Sequence, residues 1–241
     1  FTFHPFRKEW VEIGDGGFYS PVSLAKYGID TPVFNIGFGI ERFAMILEKE
    51  EDIRALVYPY FYKESTFTDQ DIAESIYLIE QPKTEMGREI WNKIIAVSIE
   101  NKDTLSPVRI DVDERTINNK QLKVTLWETD PDVKLLGPAA LNEIYVSDGN
   151  IIGSLPSEEL ETRAVKTGIT YLGAVSALAA ANIEKMIERN EKEVSIRVKM
   201  SKQPSDINIG IPDNVRRFIT ANKRKIDVRG PVFIGISAKL E

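Results

Sequence analysis

The segment from Pro32 to Leu47, PVFNIGFGIERFAMIL, places two glycines and an arginine at the junction of two predicted elements. Val33 to Phe38 is apolar and β-prone, and helix-forming residues follow Gly39, so we expect a strand that leads into a helix. Gly37 and Gly39 leave the strand without side chains, so a flat ligand could approach it. The planar, permanently charged guanidinium of Arg42 can lie against a purine ring while it reaches phosphate oxygen. This combination suits ATP.

The segment does not match two common nucleotide-binding patterns. The sequence lacks the third glycine, the acidic residue at the expected distance and the βαβ context of a dinucleotide-binding turn. It also lacks the pattern of a Walker A phosphate loop. An ordinary strand-to-helix turn with a solvated Arg42 remains an open alternative.

A second segment with polar groups at defined spacing lies upstream, from Glu9 to Pro21, EWVEIGDGGFYSP. Its apolar residues predict a strand that carries Glu12 on the other face. The glycines that follow, Gly14, Gly16 and Gly17, predict a bend or a bulge. Without further context, Glu12 could equally be an exposed strand glutamate.

Composition limits the classes of function. With 241 residues, 42% of them hydrophobic, the chain can form one large or two modest globular domains. It contains no cysteine, which excludes disulfides, thiolate metal sites and cysteine nucleophiles, and its one histidine, His4, is interpreted as structural. No apolar run reaches the about 18 residues of a membrane span, and no signal peptide is recognisable. We expect a cytoplasmic protein.

The net charge of −6 hides a local basic segment between Arg216 and Arg229. This segment contains six basic residues and one acidic residue, Asp227, so it has a local excess of five positive charges. Such a segment could contact nucleic-acid phosphates, or it could be a solvated helix face followed by a loop. The basic residues are Arg216, Arg217, Lys223, Arg224, Lys225 and Arg229.

Two regions are predicted along the chain, residues 1–66 and 67–241. The first contains the two segments above, and Phe1 to His4 resembles the middle of a strand. A linker from Tyr58 to Thr68 follows, and Thr68 is expected to cap a helix from Asp69 to Ile79.

The second region is predicted to be mixed α and β. Its apolar periodicity indicates helices over Thr84 to Asn101, Tyr171 to Arg189 and Pro212 to Lys225, with Trp91 in the core of the first. Strands are predicted at Val108 to Asp113, Leu122 to Glu128, Val194 to Met200 and Val232 to Ala238, with hairpin turns at Asn118-Asn119 and Asp148-Gly149.

The Pro32 to Leu47 segment resembles motif 3 of class II aminoacyl-tRNA synthetases. In the phenylalanine-type enzymes a similar strand, W-x-E-I-x-G, precedes motif 3, and its glutamate helps hold Mg²⁺ on the ATP phosphates. Glu12 matches that position, and an oxygen ligand suits this hard cation. The resemblance implies an α+β fold: part of a class II antiparallel sheet with helices in 1–66, followed by a mixed α/β anticodon-binding domain in 67–241.

Further segments narrow the resemblance to the O-phosphoseryl-tRNA synthetase family, which attaches phosphoserine to cysteine tRNA. They cover most of the chain and are WVEIGDGGFYSPVSLAKYGID, EEDIRALVYP, LLGPAALNE, SDINIGI, NVRRFI and KIDVRGPVFI. No motif 1 or motif 2 is present, so we expect the chain to be the C-terminal portion of a longer polypeptide. The family forms homotetramers, which the resemblance carries over as an expectation.

The resemblance also assigns roles to residues. ATP would contact Gly37, Gly39 and Arg42, while Asn35 would bind phosphoserine, because an amide can donate to phosphate, with Tyr19 and Ser20 as further candidates. Glu128 and Asp130, in WETDPDVKLLGPA, would read anticodon bases, because carboxylates accept from base amino groups. A turn role for Asp130 remains open. The tRNA backbone would contact Arg216, Arg217, Lys223 and Arg224.

Two other functions remain open at this stage. One is a phenylalanyl-type or other class II synthetase. The other is a non-catalytic module that binds tRNA or supports assembly, which the missing motifs 1 and 2 would permit.

Overall fold

The computed structural model describes residues 1–5, 8–58 and 66–241. The chain divides into two compact units, Phe1–Ser65 and Thr66–Glu241. Within the described residues, no helix has both the length and the apolar character needed to cross a bilayer.

The N-terminal unit contains two separate pairs of antiparallel strands. Strand β1 (Thr2–His4) pairs with β2 (Glu9–Val11), and β3 (Gly14–Phe18) pairs with β4 (Phe34–Phe38). Its helices are α1 (Pro21–Ala25), α2 (Ile40–Leu47) and α3 (Ile53–Val57).

The motif 3 segment folds as predicted, because β4 ends at Phe38 and Gly39 is the N-cap of α2. The bend predicted at the upstream glycines is wrong. Gly14, Gly16 and Gly17 lie within β3, because that strand pairs over its full length with β4.

Little of the N-terminal unit is buried. Among its described residues, His4, Met45 and Ala55 are buried. The imidazole of His4 hydrogen-bonds through Nε2 to the carbonyl oxygen of Glu50 at 3.0 Å, which agrees with a structural role. The unit instead exposes many aromatic side chains, including Trp10, of which 69% is accessible.

The C-terminal unit contains longer elements. Its helices are α4 (Asp69–Ser75), α5 (Glu85–Glu100), α6 (Glu158–Arg163), α7 (Tyr171–Glu188) and α8 (Asp213–Ala221), with a 3₁₀ turn at Pro204–Ile207. Its strands are β5 (Tyr77–Leu78), β6 (Val108–Ile117), β7 (Lys120–Glu128), β8 (Glu143–Ser147), β9 (Asn150–Ser154), β10 (Val165–Thr170), β11 (Glu193–Ser201), β12 (Ile209–Gly210), β13 (Ile226–Asp227) and β14 (Gly230–Leu240).

Two four-stranded sheets form the body of this unit. One has the order β11-β14-β7-β6 and is antiparallel throughout, and the other has the order β10-β8-β9-β13, in which β13 runs parallel to β9. A continuous core joins α4, α5 and α7 to these sheets. Trp91 packs against this core and donates its indole N–H to the carbonyl of Gly173 at 2.8 Å, as predicted. The α+β architecture with antiparallel sheets is therefore confirmed.

Turn and cap chemistry largely follows the sequence. Asn118-Asn119 and Asp148-Gly149 all have positive φ, the conformation of a tight hairpin turn. The hydroxyl of Thr68 accepts from the backbone N–H of Asp71, so the predicted cap is confirmed. The helix it opens is shorter than predicted, since it ends at Ser75 and β5 follows. Most of the predicted linker, residues 59–65, lies outside the described residues.

Candidate functional site

One face of the β3–β4 pair, here termed the bare face, carries side chains only at Asp15 and Asn35. Asn35 and Gly37 in β4 lie opposite Gly17 and Asp15 in β3, and directly paired residues share a face of an antiparallel ribbon. A Cβ added at Gly37 would meet only the Asp15 carboxylate, at 3.3 Å, and one added at Gly17 would meet nothing within 4 Å. A planar group can therefore approach this backbone directly.

The opposite face of the same pair is aromatic. A Cβ at Gly14 would lie 2.9 Å from the ring of Phe38, and one at Gly16 would lie 3.2 Å from the ring of Phe34. The glycines of β3 thus accommodate aromatic rings on one side and leave the other side open. This alternation explains why a strand tolerates so many glycines, which usually weaken strands.

Arg42 lies at the end of the bare face. Its side chain folds over Gly39, because a Cβ added there would lie 3.4 Å from Cδ of Arg42. The guanidinium donates from Nη1 to the carbonyl oxygen of Glu12 at 2.6 Å and lies 3.5 Å from the Glu12 carboxylate. The structure therefore brings together Arg42, Glu12 and Gly39, and Gly37 lies two residues before Gly39 in the chain. Nearly half of each of the two charged side chains is exposed, so both can reach a ligand.

The three phosphoserine candidates are placed differently. Asn35 is exposed on the bare face, two residues before Gly37. Tyr19 continues the strand ladder by donating its N–H to the carbonyl of Val33 at 3.0 Å, and its side chain is half exposed. Ser20 is the N-cap of α1, and its hydroxyl makes no capping bond, although its carbonyl accepts from Ser23 at 3.0 Å.

Two residues near this site were missed by the sequence analysis. Arg54 lines the same cleft, of about 560 Å³, as Arg42 and Glu12, and it forms a bidentate pair with Asp52. Asp15 lies directly across from Gly37. The alternation of glycine with Asp15 along β3 could have indicated that Asp15 lies near the site. Arg54 lies in α3, outside both sequence segments, so no local pattern pointed to it.

The donor set fits a magnesium ion that arrives with nucleotide phosphates. Mg²⁺ commonly binds one or two protein carboxylates together with phosphate oxygens and water. Glu12 supplies one exposed carboxylate beside Arg42. No group of three or more His, Cys, Asp or Glu side chains that could hold a metal by itself occurs among the residues described here.

In the C-terminal unit, the predicted anticodon pair forms an ionic cluster. Glu128 is fully buried, and its Oε1 accepts from the backbone N–H groups of Thr129 at 2.7 Å and Asp130 at 2.8 Å. The same oxygen accepts from the guanidinium of Arg197 in β11. A base amino group could reach Glu128 only if Arg197 moves. Whether either acid reads a base therefore stays a prediction.

Asp130 is more accessible than Glu128. Its carboxylate lies 3.0 Å from Nη2 of Arg197 and 2.7 Å from Nζ of Lys199. The hydrogen bond from Lys199, followed by that from Arg197, lowers the pKa of Asp130 below its usual value. Asp130 is therefore ionised at neutral pH and compensates part of the charge of these two cations.

The basic segment spans α8 and the turn after it. Arg216 is half-buried and donates from Nε to the carbonyl of Ile211 at 3.0 Å, whereas Arg217, Lys223 and Arg224 are exposed. Arg229 is paired with Asp227 through two hydrogen bonds of 2.7 and 2.8 Å. Its positive charge is thus partly compensated within the protein.

The N-terminal unit matches a known family. The model for the class II core domain of tRNA synthetases (F) matches residues 2–65. The matched residues include the strands β3 and β4, Arg42 and Glu12, so this unit is similar to a class II tRNA synthetase core.

Curated relatives cover the chain as a whole. The chain is 40% identical over 248 residues to the O-phosphoserine--tRNA(Cys) ligase of Methanothermobacter thermautotrophicus. This alignment covers 100% of the present chain and 47% of the relative. The ligase of the same name from Methanocaldococcus jannaschii is 40% identical to the chain over 257 residues, and the alignment covers 100% of the chain and 47% of that ligase. The ligase of Methanoregula boonei is 41% identical to the chain over 240 residues, and the alignment covers 98% of the chain and 43% of that ligase. Over nearly its whole length the chain is therefore similar to O-phosphoserine--tRNA(Cys) ligases, and it spans about half the length of these relatives.

Proposed function

We propose that the complete protein ligates O-phosphoserine to cysteine tRNA at the expense of ATP, through an aminoacyl-adenylate. In this proposal the phosphoserine carboxylate attacks the α-phosphate of ATP and releases pyrophosphate, and the terminal adenosine hydroxyl of the tRNA then accepts the acyl group. The observation that carries it is the position of Arg42 over Gly39, at the end of the bare β3–β4 face and beside Glu12.

The residues of the N-terminal unit contribute binding and orientation to this reaction. The bare backbone at Gly37 and Gly39 gives the adenine a flat surface, and the guanidinium of Arg42 covers the ring and reaches the phosphates. Glu12 would help hold Mg²⁺, which would neutralise charge on the ATP phosphates. Asn35 lies on the same face and donates its amide to the phosphoserine phosphate, and Tyr19 and Ser20 are further candidates. Such catalysis consists mostly of positioning and charge stabilisation.

The C-terminal unit, in this proposal, binds tRNA. Arg216, Arg217, Lys223 and Arg224 contact the sugar-phosphate backbone, which gives affinity without sequence selectivity. Glu128 and Asp130 accept from amino groups of anticodon bases after exchanging their bonds with Arg197. A homotetramer, as expected from the family, belongs to the same proposal.

The proposed reaction is tested by ATP–pyrophosphate exchange on the complete polypeptide. Exchange should depend on phosphoserine and not on phenylalanine. Arg42→Lys keeps the charge but loses the planar surface, so it should raise the KM for ATP, and Arg42→Ala should remove most of the exchange. Lys26→Ala, an exposed charge change on the residue after α1, serves as the matched control.

The same assay separates the two alternative functions. Exchange with phenylalanine would replace the proposal by a phenylalanyl-type enzyme. Absence of exchange with either amino acid, together with retained tRNA binding, would identify a non-catalytic tRNA-binding module.

A further inference from the structure

Asp69, the first residue of α4, binds a hairpin turn that lies about eighty positions further along the chain. Its Oδ2 accepts from the backbone N–H of Asp148 at 2.8 Å, and its Oδ1 accepts from that of Gly149 at 2.7 Å. These two residues connect β8 and β9 with positive φ, a conformation that costs energy for a residue with a side chain. Successive backbone N–H groups in a turn form a small anion-binding nest, and the Asp69 carboxylate fills it. Asp69 therefore fixes this turn from outside the hairpin.

The carboxylate of Asp69 is not needed to cap α4. The hydroxyl of Thr68 accepts from the backbone N–H of Asp71 at 3.1 Å, and the Asp71 carboxylate accepts from the backbone N–H of Thr68 at 2.8 Å. These two reciprocal bonds complete the cap. Both oxygens of Asp69 are directed at the hairpin instead, so a change at Asp69 should leave the cap of the helix intact.

The hairpin turn supports Arg224, a residue of the basic segment. A Cβ added at Gly149 would lie 3.4 Å from Cγ and 3.6 Å from Nε of Arg224, so the arginine side chain lies over the glycine. The next residue is attached to the same hairpin through its backbone. The N–H of Lys225 donates to Oδ1 of Asn150 at 2.9 Å, and its carbonyl accepts from the N–H of Ile151 at 2.9 Å. The hairpin therefore sets the position of Arg224.

A second contact joins the start of the C-terminal unit to the basic segment. The rings of Phe67 and Phe218 meet edge to face, with 5.3 Å between their centroids and an angle of 68° between their planes. Phe218 lies in α8, directly after Arg217, and both rings pack against the hydrophobic core. Residues 67–69 thus contact the basic segment at α8 and, through the hairpin, at Arg224.

The guanidinium of Arg224 is available to a ligand. Arg224 is exposed, and it forms no ion pair within residues 1–5, 8–58 and 66–241, whereas Arg229 is paired with Asp227. An acid near a basic segment weakens the attraction of that segment for phosphate. Electrostatics alone would therefore disfavour Asp69 at this place, and a role in holding Arg224 accounts for its presence.

We propose that Asp69 is a positioning residue for tRNA binding, which holds Arg224, through the Asp148-Gly149 turn, where its guanidinium can contact a backbone phosphate. Arginine has a long side chain with many rotamers, so restricting it before tRNA arrives reduces the entropy that is lost on binding. The inference rests on the tRNA binding proposed above, and it adds a residue that does not itself touch the RNA.

The sign of the effect of Asp69→Asn tests the proposal. Binding of cysteine tRNA to the complete polypeptide is measured by fluorescence anisotropy over a series of salt concentrations. Loss of a negative charge would by itself tighten the binding of an anion. We expect Asp69→Asn to bind about 2- to 10-fold more weakly instead, the effect of one ordinary hydrogen bond, because Arg224 is no longer held. The slope of log affinity against log salt should fall by up to about 0.7–0.9, the contribution of one phosphate contact.

Glu74→Gln is the matched control for the change in charge. Glu74 is exposed in the same helix, and its Oε1 accepts from Gln70 at 2.6 Å, so this variant loses one negative charge without altering the hairpin. Its tRNA affinity should be unchanged or slightly higher. Asp69→Glu keeps the charge but lengthens the side chain, so weaker binding by this variant reports geometry alone. Circular dichroism and the thermal midpoint report on folding, and Asp69→Glu carries the test if Asp69→Asn does not fold.

A double-mutant cycle tests whether Asp69 acts through Arg224. In the Arg224→Ala background, Asp69→Asn should cause no further loss of affinity. Equal losses in the two backgrounds would overturn the proposal, and so would unchanged or tighter binding by the folded Asp69 variants. Failure of the unmodified polypeptide to bind tRNA is a different result, because it would overturn the proposed function and the positioning role together.

Discussion

The carboxylate of Glu184 in α7 accepts a 2.8 Å hydrogen bond from the backbone N–H of Thr84, the N-cap residue of α5. It also accepts from the backbone N–H of Lys83 at 2.8 Å and from the Thr84 hydroxyl at 2.5 Å. A Cβ at Gly87 would lie 2.0 Å from the same carboxylate, so the first turn of α5 requires glycine there. One buried anion thus joins two long helices.

Removing this anion should destabilise the C-terminal unit. Glu184→Ala leaves the backbone N–H groups of Lys83 and Thr84 without this acceptor, and we expect a loss of about 1–3 kcal/mol in the free energy of unfolding. Glu184→Gln keeps one acceptor and should lose less. Urea denaturation followed by circular dichroism measures both, and equal stability of Glu184→Ala and the unmodified chain would contradict this account.

The same residue predicts acid sensitivity. Burial alone would raise the pKa of Glu184, but hydrogen bonds from the Thr84 hydroxyl and the two backbone amides lower it below its ordinary value of 4.5. A lowered folded-state pKa gives stability that is complete above about pH 4.5 and is lost as the pH falls through the folded value. Unfolding curves at pH 7 and pH 3.5 should therefore differ less in Glu184→Gln than in the unmodified chain.

Side chains added to the bare β4 face should block ATP. Gly37→Val places two methyl groups where the Cβ meets only the Asp15 carboxylate, so the strand can remain intact while the ligand surface is filled. We expect the KM for ATP in pyrophosphate exchange to rise at least tenfold. Ile36→Val changes the neighbouring residue on the opposite face and should leave the KM unchanged. A similar rise in both variants would indicate general damage to the strand.

Asn208 should be a strong determinant of stability. It is buried in the left-handed conformation, and its side chain bonds both backbone groups of Glu80 and the carbonyl of Ala174 at 2.7 to 2.9 Å. Asn208→Ala should cost about 2–4 kcal/mol through lost hydrogen bonds and left-handed strain. Asn208→Gly loses the same side-chain hydrogen bonds but tolerates the left-handed conformation, so its stability should fall between that of Asn208→Ala and that of the unmodified chain. A stability of Asn208→Gly equal to that of the unmodified chain would show that the side-chain bonds contribute little.

The basic segment predicts the salt dependence of tRNA binding. If Arg224 contacts a phosphate, Arg224→Ala should reduce the slope of log affinity against log salt by about 0.7–0.9. Arg229→Ala is the matched control, because Arg229 is already paired with Asp227. An unchanged slope for Arg224→Ala would place the tRNA backbone elsewhere.

Several elements could be predicted from local sequence. Helices α5 and α7 have clear apolar periodicity and begin after threonine caps at Thr84 and Thr170, and the two hairpin turns carry the expected residues. The N-cap of α4 at Thr68 could also be predicted from neighbouring residues. Such features depend on residues within a few positions of each other, so they are readable without the fold.

The remaining features depend on residues far apart in sequence. Glycines of β3 were interpreted as a bend, because their pairing partner, Phe34–Phe38, lies downstream across α1. Residues after Ser75 continue a helical pattern but form β5, because Ile209–Gly210 pairs with them. The burial of Glu128 depends on Arg197, 69 positions away. No local pattern contains that information.

The separate hydrophobic core of Thr66–Glu241 has a consequence for protein engineering. Trp127 and Arg109 lie on strands of this unit but outside its core cluster, so substitutions at these two positions leave the residues of that core unchanged. The glycine face at Gly37 lies in the other unit and would stay constant when these positions are varied. Variants of the C-terminal unit could then be selected for tRNA binding, the function proposed for it, while the residues proposed to bind ATP are kept unchanged.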